Sequence, residues 1–188
     1  MHTHFPAAEV ARRRARGFTV TELLVVLAIG AVLAGVAAPA FRSTLVNYRI
    51  EAASSALLDS LLLAREEARN SASPVSVCTS NDGATCTDSP WRDGHIVFRD
   101  AGTAGAVDAG DTVLNRTVAA SAGISTSAKL QQSGADFTRG YLQFGADGKL
   151  DVRTALVFAT CQSGHKPLLT AVQYNGATSS SKGATPCT

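Results

Sequence analysis

Arg12-Arg13-Arg14-Ala15-Arg16-Gly17-Phe18-Thr19-Val20-Thr21-Glu22, followed without another charge by the apolar run Leu23 to Phe41, decides the class of this chain. As a helix, Phe18 to Phe41 extends about 36 Å, enough to cross a bilayer core with a slight tilt. The arginine cluster sets orientation: it stays cytoplasmic, and the chain beyond the span is exported. An ordinary secretory signal has a shorter apolar region followed by a small-x-small site. Ala38-Pro39-Ala40 imitates such a site, but the run is too long. A plain signal anchor is the other bland reading. Glu22 argues against both, because an ionised carboxylate in an apolar helix costs about 2.5–3.5 kcal/mol on insertion scales, less near the interface. Such a group implies a partner. A cut after Gly17 creates one, the cationic amine of Phe18. Glu22 lies about one turn from its own amine, and a neighbouring chain's amine meets it with better geometry in a packed helix bundle.

Gly17-Phe18-Thr19-Val20-Thr21-Glu22-Leu23-Leu24-Val25-Val26-Leu27-Ala28-Ile29 resembles the class III signal of type IV pilins and type II secretion pseudopilins. In that family a prepilin peptidase cleaves after the glycine and methylates the new phenylalanine amine, and the glutamate guides assembly. The resemblance therefore implies that Gly17 is the cut site, Phe18 the N-methylated terminus and Glu22 the assembly residue. Pro39 falls where many members carry a proline; inside a helix it removes one backbone bond and invites a kink. Ala31 with Gly35, and Ala34 with Ala38, give the small-x-x-x-small spacing that permits close helix contact.

Of 188 residues, 45% are hydrophobic and 17% charged, enough for one core plus a membrane segment. The net charge of +2 is set by the leader: without Arg12, Arg13, Arg14, Arg16 and Glu9, 13 basic residues face 14 acidic ones. That balance gives no global basic field for nucleic acid. The cysteines Cys78, Cys86, Cys161 and Cys187 form no Cys-x-x-Cys. An even count outside the cytoplasm favours two disulfides, with four buried thiols as the alternative. Of three pairings, Cys78–Cys86 with Cys161–Cys187 closes the shortest loops, and a loop like the second is worth about 3 kcal/mol.

Beyond Phe41, Ile50, Ala53, Leu57, Leu61, Ala64 and Ala68 recur at steps of three and four, forming an apolar helix face that Leu58 and Leu62 widen. The spacing predicts one helix from about Phe18 to Asn70, stopping before Ser73-Pro74. Strands are expected at Val75–Thr79, His95–Arg99, Val113–Val118, Tyr141–Phe144, Ala155–Cys161 and Leu168–Tyr174. The Ser/Gly-rich tail Ala177–Gly183 is expected to be loose unless Cys187 holds its end.

Further blocks narrow the resemblance. Ala64-Arg65-Glu66-Glu67-Ala68, Pro74-Val75-Ser76-Val77-Cys78, Gly94-His95-Ile96-Val97-Phe98-Arg99-Asp100, Tyr141-Leu142-Gln143-Phe144 and Phe158-Ala159-Thr160-Cys161 are similar, in this order, to the FimT/FimU/GspH group of minor pilins. That implies an α+β fold: a cleaved leader over 1–17, a transmembrane helix over 18–41, its amphipathic half over 42–72 and a β-rich head over 73–188. It also implies a single-pass protein of the bacterial inner membrane with a periplasmic head, later part of a pilus or pseudopilus. Its partners would be other minor and major pilins, a prepilin peptidase and an inner-membrane assembly platform, with no cofactor. The implied role is docking at a pilus tip to prime assembly. A minor pseudopilin of a type II secretion system is the alternative.

Other sites weigh less. Asp100, Gly105, Asp108 and Asp111 take positions one, six, nine and twelve of a calcium-loop spacing, but Gly102 and Ala104 leave positions three and five without side-chain oxygens. Some FimT-type relatives assist DNA uptake with a Gly-Arg-x-Arg motif. The corresponding Gly176-Ala177-Thr178-Ser179 lacks both arginines, so nucleic-acid binding, the rival from another class, is disfavoured. No nucleophile elbow, phosphate loop or His-Glu-x-x-His is present, and an enzyme is not expected. His95 reads as a sheet or core histidine, His165 as a loop residue and Trp91 as a packing residue.

Overall fold

The computed structural model describes residues 17–188, apart from the side chains of residues 37–40. The leader before Gly17 and the kink expected at Pro39 lie outside the described residues. Helix α1 runs from Val20 to Ser71. It starts two residues later than the sequence predicts and ends one residue beyond. Ala72 follows in the left-handed region at φ 48°, and Pro74 then prevents the helix from resuming. Ser71 Oγ caps this end by donating to Glu67 O at 2.7 Å. The chain divides into two compact units, one ending at Arg42 and one spanning Ser43–Thr188.

The second unit sets the later part of α1 against two antiparallel sheets. Strands β1 (Val75–Thr79), β2 (Gly94–Arg99), β3 (Thr112–Val118) and β5 (Tyr141–Phe144) form one sheet in the order β3-β2-β1-β5. Strands β4 (Ser125–Leu130), β6 (Leu156–Cys161), β7 (Leu168–Val172) and β8 (Thr178–Lys182) form the other in the order β4-β6-β7-β8. Six expected strands are present within one or two residues of their bounds. Two more are additions. The stretch Ser125–Leu130 offers only Ala128 and Leu130 as apolar residues, and the tail expected to be loose unless Cys187 holds its end has that end bonded to Cys161 and is β8, paired with β7 from Val172↔Thr178 to Leu168↔Lys182. Both are edge strands: β4 adds Ala128 to the core with Leu130 packed against it, whereas β8 buries no side chain and is held by its ladder.

Leu57, Leu61, Ala64 and Ala68 on α1 meet Val75, Val77, Leu142 and Phe144 of one sheet and Leu156, Phe158 and Val172 of the other in one core. Four residues of the expected apolar face are thus its helix side, and Ile50 is buried too. Leu62 is not on it: it is 39% exposed, and Leu58 is half-buried. Ser54 and Ser60 are buried instead. Each hydroxyl has a partner across the interface: Ser54 Oγ lies 2.9 Å from Thr170 Oγ1, and Ser60 Oγ 2.9 Å from His95 Nε2. On the far face of the first sheet, Cys78, Ile96 and Phe98 form a second cluster with Cys86, Val107 and Tyr141. This second layer makes β1 buried on both sides.

Gly94 opens β2 at φ 116°, and a Cβ there would stand 2.7 Å from both Ser80 O and Thr117 O. Only glycine fits between β1 and β3 at that point.

His95 is enclosed by α1 and Trp91, and burial pushes its imidazole down to about 4 from 6.5. Ser60 Oγ donates to Ala56 O at 2.9 Å and so accepts from His95 Nε2–H at 2.9 Å, while burial favours the neutral imidazole. The folded value lies below the unfolded one. This contribution to stability is therefore complete above about pH 6.5 and is lost as pH falls through 6.5 towards 4. Thermal unfolding of the Ser43–Thr188 unit should reveal a loss of about 3 kcal/mol over this window. His95→Gln should flatten it.

Candidate functional site

Gly17, Phe18 and Thr19 precede the helix in irregular backbone, and Glu22 stands in its first turn. Thr19 is the N-cap. Its Oγ1 accepts from Glu22 N–H at 3.2 Å, and Glu22 Oε2 accepts from Thr19 N–H at 2.9 Å. Thr19 Oγ1–H also donates to Oε2 at 2.9 Å. This is a reciprocal capping box, which satisfies helix-end donors and sets a carboxylate at the positive end of the macrodipole. The sequence signal for it is the spacing Thr19-x-x-Glu22, which the reading of Glu22 as a charge awaiting an intermolecular amine passes over. Glu22 therefore has a partner within its own chain. Oε1 has none among the described residues, so the carboxylate is held by one oxygen and offers the other.

Phe18 is 86% exposed, and Leu23 to Val36 leave every large apolar side chain exposed. The helix is long and apolar enough to cross a membrane.

Cys78 pairs with Cys86, at 5.5 Å between Cα atoms, and Cys161 with Cys187, at 6.3 Å. The first closes the loop after β1 over the second apolar cluster. The second joins the end of β6 to the chain end, where Cys187 N–H also donates to His165 O at 2.9 Å.

The aspartates of the 100–111 loop accept mainly from that loop's own backbone, while Asp100 Oδ1 is buried without a hydrogen-bond partner among the described residues. Asp100 Oδ2 accepts from Ser76 Oγ at 2.5 Å and Gly105 N at 2.7 Å, Asp108 Oδ2 from Thr103 N at 2.6 Å, and Asp111 Oδ1 from Ala101 N at 3.0 Å. Among the described residues no three acidic, histidine or cysteine side chains converge to hold a metal. Gly176 is buried in the β7–β8 turn at φ 78°, against Gly148 O and the Arg65 side chain, and Ala177–Ser179 supply no cation. His165 is a loop residue whose Nδ1 lies 3.3 Å from Asn47 Oδ1. Trp91 packs edge-on to Phe158, at 5.0 Å between ring centres.

The family profile described as "Type II transport protein GspH" matches residues 53–178, which hold the α1 face and most of the two-sheet head. The chain belongs to the GspH family. A second profile, "Prokaryotic N-terminal methylation motif", matches residues 12–38 and encloses the capped junction. The GspH-family head is similar to the type IV minor pilin FimU of Pseudomonas aeruginosa PAO1 in two crystal forms. Identity is 20% in both, with TM-scores of 0.53 and 0.51, over 71% and 70% of this chain and 88% and 91% of those. The minor pseudopilin EpsH from the Type 2 Secretion System of Vibrio cholerae is also similar, at 17% identity and TM-score 0.47, over 71% of this chain and 97% of that one. No curated protein sequence matches. This GspH-family chain therefore combines an N-terminal methylation motif, an apolar helix of membrane-crossing length and a two-sheet head similar in fold to that of FimU.

Proposed function

We propose that this protein is a minor pilin, cut after Gly17, N-methylated on Phe18 and assembled through Glu22, which docks with other pilins at a pilus tip to prime assembly. Its role is structural rather than catalytic. The observation that carries the reading is the Gly17–Phe18 junction in irregular backbone directly ahead of the cap that fixes Glu22. A peptidase needs an extended substrate at the scissile bond. Once the bond is cut, the new amine stands about one turn from the pre-oriented carboxylate of its own chain and can meet the carboxylate of a neighbouring one. In lipid that pairing sets the axial register between neighbouring subunits. The minor-pilin fold of the head supports a pilus. The description of the matching profile supports the second reading, a minor pseudopilin of a type II secretion system.

Mass spectrometry of the membrane-extracted protein should give a chain beginning at a methylated Phe18. An intact Met1 start would sink the reading. Deleting the gene and scoring surface pili against exported enzymes separates the two readings: loss of pili with normal export favours the minor pilin, and the reverse favours the pseudopilin.

A further inference from the structure

Beside α1 in the Ser43–Thr188 unit runs a groove of about 220 Å³, floored by Ala53, Ala56 and Trp91, rimmed by Arg49 and Arg92, with Val118 as a lip. Small-molecule sites occupy about 300–1,000 Å³, so the groove suits side chains of a partner protein better than a cofactor. Val118, at the end of β3, is 86% exposed. Ala53 and Ala56 offer only methyl groups on this side of α1, which leaves room for a second helix to lie close alongside.

Both cations of the rim are available. Arg49 makes no ion pair or hydrogen bond among the described residues, and Arg92 meets only the adjacent Asp93, at 3.4 Å. No acidic side chain among the described residues lines the groove. His95 is also in the lining, and burial holds it neutral. An apolar floor between arginines calls for an apolar side chain flanked by carboxylates. Two identical copies meeting groove to groove would set Arg49 and Arg92 against the same two cations of the other copy. Like charge therefore opposes a closed homodimer at this surface.

We infer that the groove is the docking site for a helix of a different pilin, one that carries an apolar side chain with a carboxylate within one turn on either side. The apolar side chain seats against Trp91, Ala53 and Ala56, and the carboxylates meet Arg49 and Arg92. Such a contact has a packed, desolvated centre that holds the partner and charge pairs at its edge that select it. The inference rests on the reading of this chain as a subunit that docks with other pilins, and it assigns to one of those contacts a surface and a partner chemistry.

A photo-crosslinking side chain in place of Val118, in the full chain expressed in its own membrane, is expected to give an adduct with a different subunit that has a prepilin-type N-terminus. Peptide mass spectrometry should map it to a helical segment in which Asp or Glu flanks an apolar residue on both sides. Arg49→Glu should lower the adduct at least about five-fold, and changing the mapped carboxylates of the partner to Arg should restore it. Arg153→Glu, an exposed cation outside the groove, should leave it unchanged. The inference is overturned by no adduct, by an adduct with a second copy of this chain or with a protein that has no prepilin-type N-terminus, or by a mapped segment without carboxylates. A loss that charge reversal does not restore, or an equal loss with Arg153→Glu, overturns it too. Filament incorporation scored on the same samples keeps the two readings apart. Incorporation without the adduct removes the docking site alone, whereas a native chain that never enters filaments removes the subunit reading.

Discussion

Glu22→Gln is expected to leave membrane insertion, cleavage after Gly17 and the helix start unchanged, yet to lower entry into filaments by about a hundred-fold or more. Glutamine at the third helical position still completes a capping box, so the contacts with Thr19 survive the substitution. What it removes is the charge. Breaking one side of a buried ion pair costs about 3–5 kcal/mol, because the remaining charge is left unpaired in a low dielectric. At about 1.4 kcal/mol per factor of ten, that is two to three orders of magnitude. Thr19→Val makes the opposite change: it removes the hydroxyl that caps the helix and keeps the carboxylate. It should cost about 1 kcal/mol of local helix stability and change incorporation only a few-fold. The measurement is the ratio of sheared-filament to membrane-bound chain by immunoblot. A Glu22→Gln chain that incorporates normally while Thr19→Val fails would make capping the function of Glu22 and would end the pairing mechanism.

Phe158→Ala should be the most damaging single truncation in the head. Phe158 is fully buried on β6, in contact with the edge of Trp91 and within the core that joins α1 to both sheets. Deleting a buried phenylalanine to alanine typically costs about 3–5 kcal/mol, part lost transfer energy and part cavity. In a unit of this size that corresponds to a fall in Tm of roughly 10 °C. Calorimetry or circular dichroism of the Ser43–Thr188 unit checks it. A fall of less than about 3 °C would mean that the sheets do not share the core described.

The element boundaries explain which features are legible in the sequence. Helix α1 and strands β1, β2, β5 and β6 bury their own apolar residues, so their periodicity is written locally. The capping box is equally legible at Thr19-x-x-Glu22, and is overlooked when Glu22 is taken as a charge in lipid before it is taken as part of a helix start. Strands β4 and β8 belong to a different case. Ser125–Leu130 buries only Ala128, and Thr178–Lys182 buries nothing. Their backbone donors and acceptors are satisfied by β6 and β7, dozens of residues away for β4.

By itself the amino-acid sequence determined the long helix whose apolar first half is of membrane-crossing length, the lone acid at Glu22 and the strands that carry their own apolar pattern. Each depends on neighbours along the chain, where charge, hydropathy and spacing act directly. Only the tertiary structure decided that Ser54 and Ser60 face inward while Leu62 faces out, that a serine-rich tail is a strand, and that His95 is held neutral against α1. Those outcomes depend on a hydrogen-bond partner brought in from a distant part of the chain. A polar group is buried where such a partner meets it and stays in water where none does.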